Sequence, residues 1–314
     1  MVSSTVVSPL STPSGAVGFM AKVAGYIALT KPRIIELLLI STVPTMVVAE
    51  GSLNRGGALP SIWLMVATVI GGTLSAGGAN AINMFVDRDI DALMERTKGR
   101  PLVTGVMSPR AALTFAVTLE ILAFFFLWWQ VNLLSAALAV SACLFYVFIY
   151  TLWLKRTSTS NIVIGGAAGA APVLIGWSSV TNSLSWAPWV LFGVMFFWTP
   201  PHFWALAIKY KDDYSAADVP MLPSVAEFDV VARKILAYTV VVVALTFGFG
   251  SVADLGLLYM ISAGVLGAGF LAYGVKLYRT QSPKVAMKLF TYSITYITLL
   301  FGAMAADSLI RFGA

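Results

Sequence analysis

Long apolar stretches of bilayer length recur along the whole chain, separated by short polar segments. They fall over 34–50, 61–83, 110–130, 132–154, 161–180, 187–208, 233–254, 256–279 and 286–310. Each predicts a helical membrane span, because lipid leaves backbone N–H and C=O groups no partner outside the segment itself. The expected fold is an all-α integral membrane protein with about nine transmembrane helices around a central cavity. Residues 1–30, rich in Ser, Thr and Val with Lys22 as their only charge, read as a flexible N-terminal lead, and residues 31–314 as one polytopic domain. No short apolar core with a basic front and a small-residue cleavage site precedes the first span, which is expected to direct insertion itself.

Charge orients the spans. With the N-terminus in the cytoplasm and the C-terminus outside, 18 of the 20 Lys and Arg residues fall on the inner side, leaving Arg55 and Arg311 outside. Adding or removing one helix would spoil that alternation. A composition of 59% hydrophobic and 11% charged residues over 314 positions excludes a water-soluble domain of this size. The net charge of +6 does not point to nucleic acid, since the basic residues lie between apolar segments and form no long run. The single cysteine, Cys143, sits inside an apolar segment and excludes a disulfide framework and a cysteine metal site.

Two inner loops hold most of the acid: Asp87, Asp89, Asp91 and Glu95 after the second span, and Asp212, Asp213, Asp218, Glu227 and Asp229 after the sixth. This arrangement suggests a duplicated four-helix unit with a ninth helix added. In the first cluster, Asn80, Asn83, Asp87 and Asp91 are spaced by three, four and four, so a helix continuing through them presents one polar stripe. Hard oxygen ligands of this kind suit Mg²⁺ held jointly with a phosphate; the bland alternative is a solvated helix end. Arg96, Lys98 and Arg100 follow on a loop shaped by Gly99 and Pro101, and match phosphate oxygens as well as they match a topology signal. In the second cluster His202, Leu206, Lys209 and Asp213 share a helical face, with His202 expected deeper in the membrane on the cavity wall. Pro200 and Pro201 are expected to bend or break the helix there. A lone histidine at membrane depth is a candidate for metal ligation or proton handling. Aromatic residues such as Trp198, Phe203 and Trp204 would furnish an apolar interior below an anion-binding mouth, which suits an isoprenoid diphosphate.

At these residues the chain resembles the UbiA superfamily of intramembrane prenyltransferases, with its Asn-Asp-x-x-Asp-x-x-x-Asp loop and later Asp-x-x-x-Asp loop. The match falls on Asn83, Asp87 and Asp91, then on Asp213. Met84 stands where the first pattern has aspartate and Lys209 where the second has its first aspartate, which argues against a second Mg²⁺ held wholly by protein. Those departures, with Leu29-Thr-Lys-Pro-Arg33, Met94-Glu-Arg-Thr97, Arg100-Pro101 and the run Tyr214 to Pro223, resemble the branch of the superfamily that farnesylates heme B. The resemblance implies Mg²⁺ on Asn83, Asp87, Asp91 and Asp213, and diphosphate contacts from Arg96, Lys98, Arg100 and Lys209. It implies His202 at the heme acceptor, and heme B and farnesyl diphosphate as substrates. It also implies a bacterial plasma membrane location and admits oxidase-assembly proteins as partners.

Two rival expectations remain at this point. One is prenylation of an aromatic quinone precursor, against which the His202 stretch and the run to Pro223 argue. The other is a secondary transporter, which would carry its binding groups near the bilayer midplane rather than at an acidic mouth.

Overall fold

The structure is a computed structural model that describes residues 18–53 and 59–312, with side chains over 33–39 outside the description. Its main helices are α1 (Phe19–Thr30), α2 (Pro32–Ser52), α3 (Ile62–Val86), α4 (Pro109–Gln130), α5 (Leu133–Thr157), α6 (Asn161–Thr181), α7 (Trp186–Lys209), α8 (Phe228–Val252), α9 (Leu257–Thr280) and α10 (Pro283–Phe312). Eight of them, α3 to α10, are long and apolar enough to cross a membrane. The 21-residue α2 falls where the first span was expected. No β-strand occurs among the described residues.

From α2 onward consecutive helices pack side by side, and α10 returns against both α2 and α7, so the series closes on itself. One large core joins α6 to α10 through buried side chains such as Trp198, Phe249, Tyr296 and Phe301, while a smaller one ties α1, α3 and the start of α4 through Leu29, Met84 and Met107. The periphery carries exposed Ile121, Phe125, Phe148, Val265 and Leu299, the apolar face that lipid covers.

Three features differ from expectation or go beyond it. The expected lead divides: residues 1–17 lie outside the described residues, whereas Phe19–Thr30 form a helix docked on α3. Pro200 and Pro201 do not break α7, which runs unbroken from Trp186 to Lys209. Prolines are tolerated inside membrane helices when neighbours absorb the freed carbonyls. Within α5, Phe145–Leu154 winds as a π-helix, wider than an α-helix, a rare geometry that gathers at functional sites. Thr151 Oγ1 closes part of it by donating 2.9 Å to the carbonyl of Tyr146, five residues back.

Candidate active site

Of the four residues expected on one stripe, Asn83, Asp87 and Asp91 follow one another along a buried row and Asn80 does not join them, and the row is zipped to a second one. α3 ends at Val86, but the helical spacing persists: Asp87 N–H donates to Asn83 O at 2.9 Å and Asp91 N–H to Asp87 O at 2.8 Å, carrying the chain into a short helix over Arg88–Asp91. Residues 75, 79 and 83 of α3 and Asp87 just after it therefore follow one another at intervals of four, and residues 143, 147, 151 and 155 of α5 do the same. The two rows meet from Ala79 to Asp87. Asn83 Nδ2 donates 3.2 Å to Thr151 Oγ1, Ala79 packs on Cys143 and Val147, and Lys155 forms an ion pair with Asp87.

Each member of the stripe has defined partners. Asn83 is engaged at both ends of its amide: its Oδ1 accepts 2.8 Å from Lys31 Nζ, and its Nδ2 also donates 2.7 Å to Asp87 Oδ2. Asp87 is wholly buried, bound through Oδ2 to Lys155, with Arg156 at 3.6 Å from Oδ1. Asp91 is buried and paired with Arg100. Asp87 Oδ1 and Asp91 Oδ1 accept no hydrogen bond, an uncommon state for buried carboxylate oxygens. Asn80 is buried but turned to the chain corner, donating 3.3 Å to Thr30 O. Next to Thr30, Lys31 adopts a left-handed conformation at φ 51°, rare outside glycine, which aims its ammonium into the stripe. Burial, reinforced by the Arg100 and Lys155 cations and only partly offset by Asp87 and Asp91, lowers the Lys31 pKa to about 7. At the exposed edge, hydrogen bonds from Arg156 hold Asp89 down at about 2.

The second cluster docks on the first. After α7 a short helix over Lys211–Ala216 brings Asp213 Oδ2 to the backbone N–H of Arg96 at 3.4 Å. The Arg96 guanidinium donates 3.1 Å to the Tyr214 hydroxyl and lies 5.0 Å from that ring's centre. Beneath this contact Ile90 and Met94 of the first loop pack on Ala217 and Val219 of the second. The run from Tyr214 to Pro223 thus has a structural reason for its composition: it is the surface on which the two loops meet.

Other candidates fall outside the stripe. Lys209 is exposed, with its ammonium 5.3 Å from the Tyr210 ring. Lys98 is exposed and paired with Glu95 at 2.5 Å. His202 lies in the large core, its Nδ1 2.7 Å from Ser293 Oγ of α10, and its ring stacks on Trp198 at 4.3 Å and Phe290 at 4.6 Å.

The donor set suits a hard divalent cation in part. Two buried carboxylate oxygens that accept no hydrogen bond, on Asp87 and Asp91, lie one helical turn apart, with the Asn83 amide one turn before them. No group of three or more His, Cys, Asp or Glu side chains is gathered for a metal among the described residues, so Asp87 and Asp91 are at present held by Lys155, Arg156 and Arg100. The same cations make the site a receptor for an anion.

Lys155, Arg156 and Thr151 were not among the residues singled out from sequence. The signal that would have found them is the repeat of the 83-to-87 spacing at 151 to 155.

The UbiA prenyltransferase family model matches residues 38–301. The chain is 54% identical over 307 residues to the protoheme IX farnesyltransferase of Parafrankia sp. strain EAN1pec, covering 96% of each. It is 51% identical to the protoheme IX farnesyltransferase of Streptomyces avermitilis, covering 96% of this chain and 99% of that one. Among solved structures, a UbiA homologue from Archaeoglobus fulgidus bound to DMAPP and Mg²⁺ shares the fold at a TM-score of 0.60 and 16% identity, covering 89% of this chain and 99% of that chain.

Proposed function

The chain belongs to the UbiA prenyltransferase family, and from that premise we propose that it transfers a farnesyl group from farnesyl diphosphate to a vinyl group of heme B, with addition of water. The products are heme O and diphosphate. The observation that carries this reading is identity of about half the residues, along nearly the whole chain, with proteins that bear that activity in their name. The membrane concerned is the bacterial plasma membrane, with the stripe facing the cytoplasm, as the distribution of basic residues supports.

Mg²⁺ held by Asp87 and Asp91 with Asn83 and Asp213 would offset diphosphate charge and ease its departure. Every other part of the chemistry belongs to side chains. Arg100, Lys155 and Arg156 line the stripe and receive the diphosphate oxygens, with Arg96, Lys98 and Lys209 assigned to the charge that remains. The C1–O bond of farnesyl diphosphate breaks and both bonding electrons leave with the diphosphate. The terminal vinyl carbon of heme attacks farnesyl C1, and the cation created on the neighbouring vinyl carbon takes hydroxide from water, releasing one proton. The stacked Tyr146 and Tyr150 of α5, with ring centres 5.3 Å apart, supply π-faces to an allylic cation. His202 is assigned to the heme side, where Nε2 is the ring nitrogen left after Nδ1 meets Ser293.

Membranes containing the protein, given heme B, farnesyl diphosphate and Mg²⁺, are expected to yield hydroxyethylfarnesyl heme, identified by mass. A prenylated aromatic acid in place of that product, from a parallel incubation, would refute the assignment.

A further inference from the structure

We propose that α1 is an interfacial helix whose outer face is seated in lipid on the active-site side of the bilayer, and that this seating holds Lys31 at the polar stripe. Twelve residues make a helix of about 18 Å, too short to cross a membrane. Its two faces differ sharply. Gly25 and Leu29 are buried, and Tyr26 lies on Phe115 of α4 with ring centres 4.8 Å apart. A Cβ at Gly25 would meet Met107 at 3.0 Å, so the helix lies close against the loop before α4. On the other side Phe19, Val23 and Ile27, spaced by four, form an exposed apolar row, with Phe19 and the adjoining Met20 each 77% exposed.

The occupant of that row is lipid because the surface is continuous with one already covered by lipid. From Phe115, against which α1 docks, α4 continues into exposed Val117, Ile121, Leu122 and Phe125, the outer face of a membrane span. Lys22, the only charge on α1, is exposed at the N-terminal end of the docked face, three and four residues before Gly25 and Tyr26, where a lysine reaches headgroups while its stem stays in the apolar layer.

The seating matters because α1 runs straight into the site. Thr30 O is clamped by Asn80, and the next residue, Lys31, turns left-handed to reach Asn83. Moving α1 moves Lys31. This coupling rests on the diphosphate site proposed above, which Lys31 adjoins through Asn83; the lipid seating does not.

Nitroxide labels at Met20→Cys, Val23→Cys and Lys22→Cys, in a Cys143→Ala background reconstituted into phosphatidylethanolamine–phosphatidylglycerol vesicles, test the seating. Collisions with oxygen are expected to exceed those with a water-soluble nickel chelate at 20 and 23, with Lys22 nearer balance. Dominance of the nickel chelate at 20 and 23 overturns the seating. For the coupling, the triple variant Phe19→Ser/Met20→Ser/Val23→Ser is expected to bind farnesyl thiodiphosphate with Mg²⁺ at least tenfold more weakly. Unchanged affinity with α1 released to water overturns the coupling. If that variant does not insert, Val23→Asp alone takes its place with the same readouts. Failure of the unsubstituted protein to bind the thiodiphosphate counts against the prenyl-transfer reading, and the label result still decides the seating.

Discussion

Removing the ammonium of Lys155 tests how the site is balanced before any substrate arrives. Asp87 is wholly buried and its strongest partner is Lys155, itself 9% exposed. Taking one partner from a buried ion pair typically costs ~3–5 kcal/mol, because the other charge is left uncompensated. Arg156 remains 3.6 Å from Asp87 Oδ1 and Asn83 still donates to Oδ2, so the lower end applies, ~3 kcal/mol for Lys155→Met. The same substitution removes the cation that competes with Mg²⁺ for the carboxylate. At 1.4 kcal/mol per tenfold, relief of a competitor worth ~3 kcal/mol tightens Mg²⁺ binding by up to about 100-fold. Diphosphate binding moves the opposite way, since one of its cations is gone. Thermal unfolding in detergent, run without Mg²⁺ and across a Mg²⁺ titration, reads the first two effects together. The variant should melt earlier than the parent without metal and regain most of the difference as Mg²⁺ saturates. An unchanged melting temperature without metal, or an unchanged Mg²⁺ midpoint, would refute the counter-ion account of Lys155.

Three further outcomes follow from the same geometry. Gly78→Ala should destabilise by about 1–3 kcal/mol, as overpacking does, because its Cβ would lie 2.7 Å from Glu120 Oε1 and 3.0 Å from the backbone oxygen of Ala116; an unshifted unfolding midpoint would show that α4 gives way freely. For Lys31, with a folded pKa near 7 and an ordinary value of 10.5, the unfolded chain binds the extra proton between those limits. Stability of the substrate-free protein should therefore rise as pH goes from about 7 towards 10, and the rise should flatten in Lys31→Met, measured by chemical unfolding at fixed ionic strength. Asp91→Asn should abolish farnesyl transfer while the protein still inserts, and turnover near the unsubstituted rate would remove Asp91 from the metal set.

Much of the architecture was legible because lipid imposes one rule on every span. Apolar length alone located α3 to α10. What hydropathy could not express was α1. Its twelve residues are too few for a span, and its docking depends on Tyr26 finding Phe115, a contact across 89 positions that no local pattern encodes. The π-winding of α5 was hidden for a similar reason. Phe145–Leu154 is a uniformly apolar and aromatic stretch, so either spiral satisfies its composition, and the choice is made by what the stripe must reach.

The site was half legible, and the missing half has one physical cause. Spacing by three and four identified Asn83, Asp87 and Asp91 because a helix converts sequence interval directly into a shared face. The same logic did not assign Lys155 and Arg156, whose position at the end of a span already satisfied the rule that places basic residues on the inner side. One residue can serve both ends. A cation at the boundary fixes orientation during insertion, then, once α5 closes on α3, becomes the counter-ion that lets Asp87 exist buried at all. A buried carboxylate row without such cations would carry uncompensated charge whenever its metal and substrate are gone. The pairs Lys155–Asp87 and Arg100–Asp91 supply that compensation. On the proposed function, a metal on the carboxylates would release the same two cations to the diphosphate, so that one set of charges would serve both arrangements.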